Sequence, residues 1–383
     1  MPELPVSALG MGMMRLPVVG NNQEKIDTEA AEAVFCAAIE EGVNYIDTAY
    51  PYHGGTSEPF TGTVLKKHNL RKKISLATKC PVWLVQNESD WDRLLLEQLR
   101  RLQTDFIDFY LFHGLNDERW NTILTLKGIE FAEKAKREGK IRHIGFSFHA
   151  PLPIFKKILD GYDQWEFCQV QFNYFDTGYQ AGLEGIQYAG KKGVGVIVME
   201  PLRGGTLATL PEPAIQLFEK TGYTRTPAHW ALRYVLTRPE VVLTLSGMNA
   251  ISQVRENARV ARETTANSLT EEEYAAYGEV AEYFRKKTPI PCTACSYCMP
   301  CPNGVSIPDV FSLYNIAVAF GKKEQNRERY MKFYQSAKKG GDSCIACGTC
   351  VSKCPQSIDI INALAEADAY FAYPSARSIL IHH

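Results

Sequence analysis

The sequence predicts an α/β fold, a (β/α)8 TIM barrel, followed by a small all-α domain. Between residues 9 and about 262, eight short β-type segments alternate with amphipathic helical segments, which is typical of repeated βα units. Eight of the 11 cysteines then lie between Cys292 and Cys354, with helical segments separating the two runs. A chain of 383 residues with 45% hydrophobic content can bury a core in each part.

The predicted barrel strands comprise residues 12–16, 45–47, 74–79, 107–113, 141–147, 168–172, 195–200 and 241–246. The helices that follow them comprise residues 28–41, 57–68, 89–102, 121–138, 151–160, 180–192, 226–237 and 251–262. Thr28 and Ser89 are predicted N-caps, and Gly42 and Gly139 are predicted to end their helices. Eight such units in about 250 residues fit a closed barrel better than an open sheet. No G-x-G-x-x-G joins the first strand to the first helix, as a Rossmann fold would require.

The barrel is predicted to occupy residues 1–265. A T-E-E-E capping box at residues 270–273 begins a further helix that ends near residue 287, and a Thr-Pro-Ile-Pro segment follows it. Residues 266–291 are therefore predicted to be a helix and linker. Residues 292–383 form the second domain, with helices at 308–320, 324–339 and 359–371.

Composition and charge exclude several functions. The formal net charge is −1, and neither part of the chain is basic enough to suggest nucleic acid as a partner. No leader-like segment and no run of 18 apolar residues occurs, so we predict a cytoplasmic protein without a membrane partner. The clustering of cysteines excludes a disulfide framework. The remaining three, Cys36, Cys80 and Cys168, are predicted to be packing residues.

The clustered cysteines indicate iron–sulfur chemistry. Cys292-x2-Cys295-x2-Cys298-x2-Cys301-Pro302 is followed by Cys344-x2-Cys347-x2-Cys350-x3-Cys354-Pro355. Two runs ending in Cys-Pro are close to the two-cluster ferredoxin pattern, in which each [4Fe–4S] cluster takes three thiolates from one run and the last from the other. The first run has two residues, where three are usual, before its last cysteine. Structural zinc is the alternative, although four cysteines per run exceed what a zinc ribbon needs.

On the crossed pattern, one cluster is held by Cys292, Cys295, Cys298 and Cys354, and the other by Cys344, Cys347, Cys350 and Cys301. The long helical insertion between the runs resembles the α-helical ferredoxin domain, so the second domain is predicted to be ferredoxin-like. Two such clusters imply one-electron transfer and a redox protein partner. A purely structural role is the alternative.

Three motifs lie at the ends of predicted barrel strands. The second strand ends in Ile46-Asp47-Thr48-Ala49-Tyr50-Pro51-Tyr52-His53-Gly54-Gly55, Ala77-Thr78-Lys79 ends strand three, and Phe112-His113 ends strand four. With these motifs, the barrel segment resembles the aldo-keto reductase superfamily over residues of about 6 to 262. The family's catalytic tetrad maps onto Asp47, Tyr52, Lys79 and His113. The resemblance favours Tyr52 over Tyr50, because the family spaces its tyrosine five residues after the aspartate. With the cysteine domain, the chain resembles the branch that carries a C-terminal 4Fe–4S domain.

This tetrad makes chemical sense at the ends of barrel strands, where such active sites lie. A carbonyl that accepts hydride needs a proton donor at its oxygen, and a tyrosine hydroxyl can serve if its pKa of roughly 10 is lowered. Lys79 is expected to lower the pKa of Tyr52, and Asp47 to keep the lysine charged. His113 is expected to orient the carbonyl or relay the proton.

The resemblance also implies a nicotinamide nucleotide site. The family holds the carboxamide with a Ser-Asn pair and a glutamine. Ser147 and Gln169 match these positions, Phe148 replaces the asparagine, and Met199 stands where an aromatic residue usually stacks on the ring. The further predicted nucleotide contacts are Leu202, Ser246, Gly247, Asn249, Gln253 and Asn257. The cationic residues that clamp a 2′-phosphate are absent at two of these positions, so NADP(H) and NAD(H) both remain open.

We therefore predict an NAD(P)H-linked oxidoreductase that interconverts a small-molecule carbonyl and an alcohol, with two 4Fe–4S clusters attached. Trp83, Asn116 and Trp120 lie in loops where the family builds its substrate pocket, or pack the two domains together. Hydride transfer moves two electrons and each cluster moves one. A flavin or a partner would have to connect the two modes, and the sequence does not indicate a flavin. The alternative is an electron-transfer or docking protein whose barrel has lost turnover.

Overall fold

The structure, a computed structural model, describes residues 5–292, 297–354 and 356–373. The chain forms two compact units. The first comprises residues up to Thr209 together with Arg225–Thr270, and the second comprises Leu210–Thr224 together with residues from Glu271 onward. None of the helices in these described ranges is both long and apolar enough to cross a membrane.

The first unit is a closed barrel of eight parallel strands, which confirms the predicted fold class. The strands are β1 (Leu9–Gly12), β2 (Tyr45–Asp47), β3 (Ser75–Cys80), β4 (Ile107–Leu115), β5 (Ile141–Phe148), β6 (Phe167–Gln171), β7 (Gly195–Met199) and β8 (Val241–Ser246). Each pairs with its sequence neighbours, and β1 also pairs with β8. The carboxyl ends of all eight strands therefore meet at one rim, where their loops can build a site.

The helices described by the structure are α1 (Thr28–Glu40), α2 (Ser57–Lys67), α3 (Ser89–Leu102), α4 (Asp117–Thr125), α5 (Gly128–Arg137), α6 (Leu152–Asp160), α7 (Gly182–Lys191), α8 (Glu212–Glu219), α9 (Pro227–Leu236), α10 (Ile251–Glu263), α11 (Glu271–Lys286), α12 (Ile307–Ala319), α13 (Lys323–Tyr330) and α14 (Ile360–Ala372). Helices α1–α7, α9 and α10 belong to the barrel unit, and the others to the second unit.

The first strand begins three residues before its predicted start. Residues 12–16 were expected to form it, but β1 ends at Gly12 and a short 3-10 turn follows. The reason lies in the barrel interior, where large side chains including Tyr45 and Leu245 pack together. A Cβ on Gly10 would lie 2.7 Å from Leu245 Cδ2, so this strand must carry glycine where an alternating pattern would place a side chain.

Three predicted helix features also need correction. The single helix expected at 121–138 is two helices, α4 and α5, because Lys127 between them adopts a left-handed φ of 54°. The N-cap of α1 is Asp27 rather than Thr28, and it accepts a hydrogen bond from Ala30 N at 3.1 Å. Helix α3 begins after Glu88 without a side-chain cap, so Ser89 is not its N-cap.

The cysteines of the barrel unit differ in burial. Cys80 and Cys168 are fully buried, as predicted, and burial raises the pKa of the Cys80 thiol to about 12. Cys36 was expected in the core but is only half-buried, with its Sγ 3.7 Å from His68 Nε2. The apolar stripe of α1 places Cys36 at its margin rather than at its centre.

The second unit has a core of its own. Ile307, Phe311, Leu364 and Phe371 are buried in one apolar cluster drawn from α12, α14 and the loops between them. Tyr330 is buried in the same cluster. Its hydroxyl donates to Asp368 Oδ1 at 2.8 Å and accepts from Gly341 N at 2.7 Å. The unit is helical in the described ranges, which confirms the predicted second architecture.

Two helices of this unit differ from prediction. The helix expected at 324–339 ends at Tyr330 and continues only as a π-helical turn over Met331–Gln335. Helix α8 was not predicted, because it is short and lies within what the sequence presents as barrel. Its Phe218 packs edge-on against Tyr277 of α11, with ring centroids 5.3 Å apart.

Candidate functional site

A buried ion pair links β2 and β3 at the rim of the barrel. Lys79 Nζ lies 2.5 Å from Asp47 Oδ1 and also donates to Thr48 O at 2.9 Å. The two charged side chains are 1% and 3% exposed. Burial alone would lower the pKa of Lys79, but the interactions with Asp47 and Tyr52 together outweigh burial, and the pKa is raised. Lys79 is therefore a fixed positive charge at the base of the site.

Tyr52 is the tyrosine that this charge reaches. Its hydroxyl lies 3.3 Å from Lys79 Nζ. The Tyr50 hydroxyl instead lies 3.3 Å from both carboxylate oxygens of Glu97, and the Arg101 guanidinium stacks on the Tyr50 ring. The structure thus brings Tyr52, and not Tyr50, to the ion pair.

Lys79 acts to lower the pKa of Tyr52, as expected, but this effect does not decide the pKa. Burial raises the pKa of Tyr52, and although Lys79 acts in the opposite direction, the sum lies above the ordinary tyrosine value. The hydroxyl is therefore protonated throughout the neutral pH range. That is the protonation state a proton donor needs.

His113 lies beside this tyrosine. The ring centroids of Tyr52 and His113 are 6.2 Å apart, and the rings are nearly perpendicular. Burial lowers the pKa of His113 well below its ordinary value, and the charges of Lys79 and Arg119 act in the same direction. Its Nδ1 is buried and has no hydrogen-bond partner among the described residues. The imidazole is neutral, so it suits orienting a carbonyl better than supplying a proton.

A second buried polar network contacts the backbone carbonyl of Lys79. Most of its members were not predicted from the sequence. Gln98 Nε2 donates to Lys79 O at 3.0 Å and to Glu58 Oε1 at 2.7 Å. Thr78 Oγ1 donates to the same Glu58 oxygen at 2.7 Å. Glu58 and Gln98 are fully buried. Gln98 could have been recognised as a polar residue at a core-facing position of the strongly amphipathic α3.

The predicted carboxamide contacts lie on neighbouring strands. Ser147 and Gln169 are paired residues of β5 and β6. Ser147 Oγ accepts a hydrogen bond from Gly114 N at 2.7 Å, and Gln169 Nε2 lies 3.8 Å from Met199 Sδ. Gln169 Oε1 is buried, and no partner for it exists among the described residues. Phe148 is fully buried and packs on Phe155 of α6, with ring centroids 5.1 Å apart, so it is part of the barrel–helix core.

The predicted contacts after β7 and β8 fall into two bonded pairs and two loop residues. Asn257 Nδ2 donates to Ser246 Oγ at 3.1 Å, and Asn249 N donates to Gln253 Oε1 at 2.9 Å. Leu202 and Gly247 are half-buried in their loops. The two pairs tie α10 to the end of β8 and to the loop that follows it.

The three residues considered for the substrate pocket lie in different surroundings. Trp120 is buried and lies against Trp165, with ring centroids 6.1 Å apart. Asn116 caps α4 by accepting from Arg119 N at 2.8 Å. Trp83 is 42% exposed, and its ring centroid lies 5.1 Å from that of His113. Of the three residues, Trp83 is therefore the one with an exposed side chain beside His113.

Four cysteines line one pocket in the second unit. Cys301 of the first run lies there with Cys344, Cys347 and Cys350 of the second run, between Ile307 and Leu364. This is the set that the crossed pattern predicts for one cluster. A zinc ion requires donors about 2.3 Å from a single point, and the described residues contain no Cys, His, Asp or Glu group arranged for a single ion.

The other predicted ligand set is only partly described. Cys292, Cys298 and Cys354 are half-buried and pack against the same apolar core of the second unit. Cys295 lies outside the described residues. The structure thus places three members of this set beside one core.

Comparison with known families identifies both parts of the chain. The sequence model of the Aldo/keto reductase family matches residues 8–282, which is well over half of the chain. The chain belongs to the aldo/keto reductase family. A 4Fe–4S dicluster domain matches residues 291–358, a range that contains all eight clustered cysteines. This aldo/keto reductase is therefore an oxidoreductase-family barrel with an iron–sulfur domain at its C-terminal side.

Relatives with assigned names agree with this membership. L-galactose dehydrogenase of Arabidopsis thaliana is 29% identical over 74% of this chain and 93% of its own length. The uncharacterized oxidoreductase YqkF of Bacillus subtilis is 29% identical over 72% and 92%. Among solved structures, the holo form of aldo-keto reductase AKR11C1 from Bacillus halodurans is 31% identical, covers 73% of this chain and 93% of its own, and has a TM-score of 0.58.

One further solved structure contains a nucleotide. An aldo/keto reductase from Klebsiella pneumoniae, in complex with NADP and acetate, is 25% identical to this chain and covers 72% of it and 92% of its own length, with a TM-score of 0.59. Each of these similarities covers about three quarters of the chain.

Proposed function

We propose that this aldo/keto reductase interconverts a carbonyl compound and an alcohol, using a nicotinamide nucleotide as hydride carrier and Tyr52 as proton donor. The observation that carries the proposal is the buried series Asp47–Lys79–Tyr52, with contacts of 2.5 Å and 3.3 Å. A fixed cation beside a neutral hydroxyl at the rim of a barrel is the arrangement that stabilises a developing alkoxide.

Each of the four residues has its own role in this reaction. Tyr52 donates its proton to the carbonyl oxygen, and the Lys79 charge stabilises the tyrosinate that remains. Asp47 keeps Lys79 charged and in place, since the pair is buried. Neutral His113 donates an N–H to the same oxygen and so orients the carbonyl. In the reverse direction, the tyrosinate accepts the proton of the alcohol.

The nicotinamide site fits the residues present. Gln169 Oε1, buried without a partner among the described residues, can accept from a carboxamide N–H, and Ser147 Oγ lies on the adjacent strand. Met199 offers an adaptable apolar surface for the ring. The nucleotide supplies the hydride when it is bound. The NADP complex of the Klebsiella relative supports this assignment.

The cysteine pocket fits a [4Fe–4S] cluster, because thiolates are the ligands of such clusters and four cysteines line one concave site. Cys301, Cys344, Cys347 and Cys350 would hold this cluster, and Cys292, Cys295, Cys298 and Cys354 the other. The clusters supply one-electron transfer when they are assembled. We propose that a redox protein partner exchanges electrons with them, and that barrel chemistry proceeds without them.

Nucleotide binding tests the proposed function. We expect anaerobically prepared protein with assembled clusters to bind NADPH or NADH, and Gln169→Leu to weaken that binding by removing the carboxamide acceptor. Fluorescence titration with each nucleotide measures both affinities. Gln103→Leu, at the exposed end of α3, is the matched control and should leave the affinity unchanged. A protein that binds neither nucleotide would contradict the proposal and favour an electron-transfer or docking protein.

Iron content tests the cluster assignment. We expect about eight iron atoms per chain, as two four-iron clusters require, and about four in Cys350→Ala, because that cysteine lines the pocket. Cys36→Ala removes a barrel thiol and should retain eight. Iron and zinc assays with electron paramagnetic resonance of the reduced protein measure this. About four iron atoms in the unmutated protein, or zinc in their place, would contradict the two-cluster assignment.

A further inference from the structure

Arg119 lies in the barrel unit at the start of α4, beside the proposed active site. Its Nη1 donates to Gly114 O at 2.7 Å, and Gly114 is the residue that follows His113. The guanidinium carbon lies 5.0 Å from the centre of the Trp83 ring, whose other neighbour is the His113 ring at 5.1 Å. Arg119, Trp83 and His113 therefore form one continuous wall, which we call the Arg119 wall.

Among the described residues, no carboxylate neutralises the charge of Arg119. Within the described ranges, no carboxylate lies within 4 Å of its guanidinium, and its one side-chain hydrogen bond goes to a neutral carbonyl. The neighbouring Asp117 pairs instead with Lys157 at 2.6 Å. Two other charged groups near the site are paired with partners of their own. Lys79 is bound to Asp47, and Glu200 lies 3.3 Å from Arg15 Nη2.

The geometry of the guanidinium limits what it can bind. With Nη1 engaged by Gly114 O, the edge formed by Nε and Nη2 keeps its donors, and this edge offers two parallel N–H groups. Parallel donors match the two oxygens of a carboxylate. Gly114 permits this placement, because its φ is +60° and a Cβ there would lie 2.8 Å from Arg119 Nη1.

The influence of Arg119 extends to the catalytic histidine. Burial is the main cause of the lowered pKa of His113, and the Arg119 charge contributes in the same direction. Because Trp83 contacts both Arg119 and His113, a substrate group at Arg119 and a carbonyl at His113 would lie along the same wall. The exposed face of Trp83 supplies apolar surface between the two positions.

We propose that Arg119 binds a carboxylate of the substrate, so that the natural substrate is a carbonyl compound that also carries a carboxylate group. This inference rests on the proposed carbonyl reduction and specifies its substrate class. A carboxylate is favoured over a phosphate because one arginine supplies a single charge and a planar pair of donors, whereas a dianion needs further cations that the Arg119 wall does not provide.

Matched aldehydes test the proposal. The probes are 3- and 4-carboxybenzaldehyde and their uncharged carbamoyl counterparts, which have nearly the same shape. We expect kcat/KM for the better carboxylate to exceed that of its amide by at least about 10-fold, the low end of what a charge-assisted hydrogen bond contributes. The preference should arise mainly in KM. It should fall to about 1 in Arg119→Met and be partly retained in Arg119→Lys. Arg137→Met, at the far end of α5, should keep the full preference.

The outcomes separate this inference from the proposed function. An equal rate with acid and amide, or a preference that persists in Arg119→Met, would overturn the carboxylate site and leave Arg119 as a structural contact of Gly114. Reduction of the amide probe and its loss in Tyr52→Phe report on the proposed function alone. If neither aldehyde is reduced, calorimetry with 4-(hydroxymethyl)benzoate and its amide decides the matter. Tighter binding of the acid that depends on Arg119 supports the site, and equal binding overturns it.

Discussion

Replacing Tyr52 with phenylalanine is expected to lower kcat/KM for carbonyl reduction by roughly 100- to 10,000-fold, the usual contribution of a positioned proton donor. The ring is retained, so its contact with His113 and the shape of the site should be preserved. Only the hydroxyl that lies 3.3 Å from Lys79 Nζ is removed. Steady-state reduction of an aldehyde by the bound nucleotide, measured anaerobically, gives the effect.

Tyr50→Phe is the matched control for this variant. Its hydroxyl is directed to Glu97 instead of Lys79, so the rate should stay within about twofold of the unmutated protein. The pH profile provides a second readout. Because burial raises the pKa of Tyr52, the proton donor is present at neutral pH, and reduction should decline only at a pH above the ordinary tyrosine pKa. An equal loss in both tyrosine variants, or a decline near pH 7, would contradict the role of Tyr52.

Replacing Lys79 with methionine is expected to destabilise the barrel unit by about 3–5 kcal/mol, because Asp47 is left as a buried carboxylate without its counter-ion. Activity should be lost as well, since the tyrosinate formed in the reaction loses its stabilising charge. Thermal unfolding of the cluster-loaded protein, followed at the barrel tryptophans, measures the loss. The double variant Asp47→Asn with Lys79→Met should recover much of the stability but none of the activity.

Lys67→Met tests whether burial of the ion pair, and not the ion pair itself, causes the loss of stability. Lys67 Nζ lies 2.6 Å from Glu32 Oε1, nearly the distance of the Lys79 pair, but its side chain is 60% exposed. Because exposed ion pairs contribute only about 0–1 kcal/mol, this variant should unfold close to the unmutated protein. Similar destabilisation in the two lysine variants, or no recovery in the double variant, would show that the buried charge is not the cause.

Most of the fold could be predicted because its determinants are local. The alternation of β-type and helical segments identified eight βα units, and seven of the eight predicted strands overlap the observed ones almost completely. The failures occurred where packing between distant segments decides. Glycine is required at position 10 by the side chain of Leu245 on β8, the strand that pairs with β1 and closes the barrel. The break between α4 and α5 depends on the left-handed conformation of Lys127. Neither condition is visible in local periodicity.

In the candidate site as well, some features follow from the sequence and others depend on packing. Parallel strands of a barrel end at one rim, so residues at strand ends, such as Asp47 and Lys79, are brought together once the strands are known. Burial and partners come from the surrounding shell instead. Gln98 reaches Lys79 from a helix, and Phe148 turns into the barrel–helix core. Since sequence spacing does not specify such packing, the raised pKa of Tyr52 was not anticipated.

The sequence by itself determined the family, the barrel with its cysteine domain, and the residues from which a tetrad and two clusters would be built, because these follow from residue type and from spacing along the chain. Only the tertiary structure decided how these residues are buried and which further groups meet them. It raised the pKa of Tyr52 by burial, brought Gln98 to the backbone of Lys79, and placed the Arg119 guanidinium beside Trp83 without a carboxylate partner among the described residues. The physical reason is that contact, burial and uncompensated charge arise between segments far apart in sequence, and only their packing fixes them.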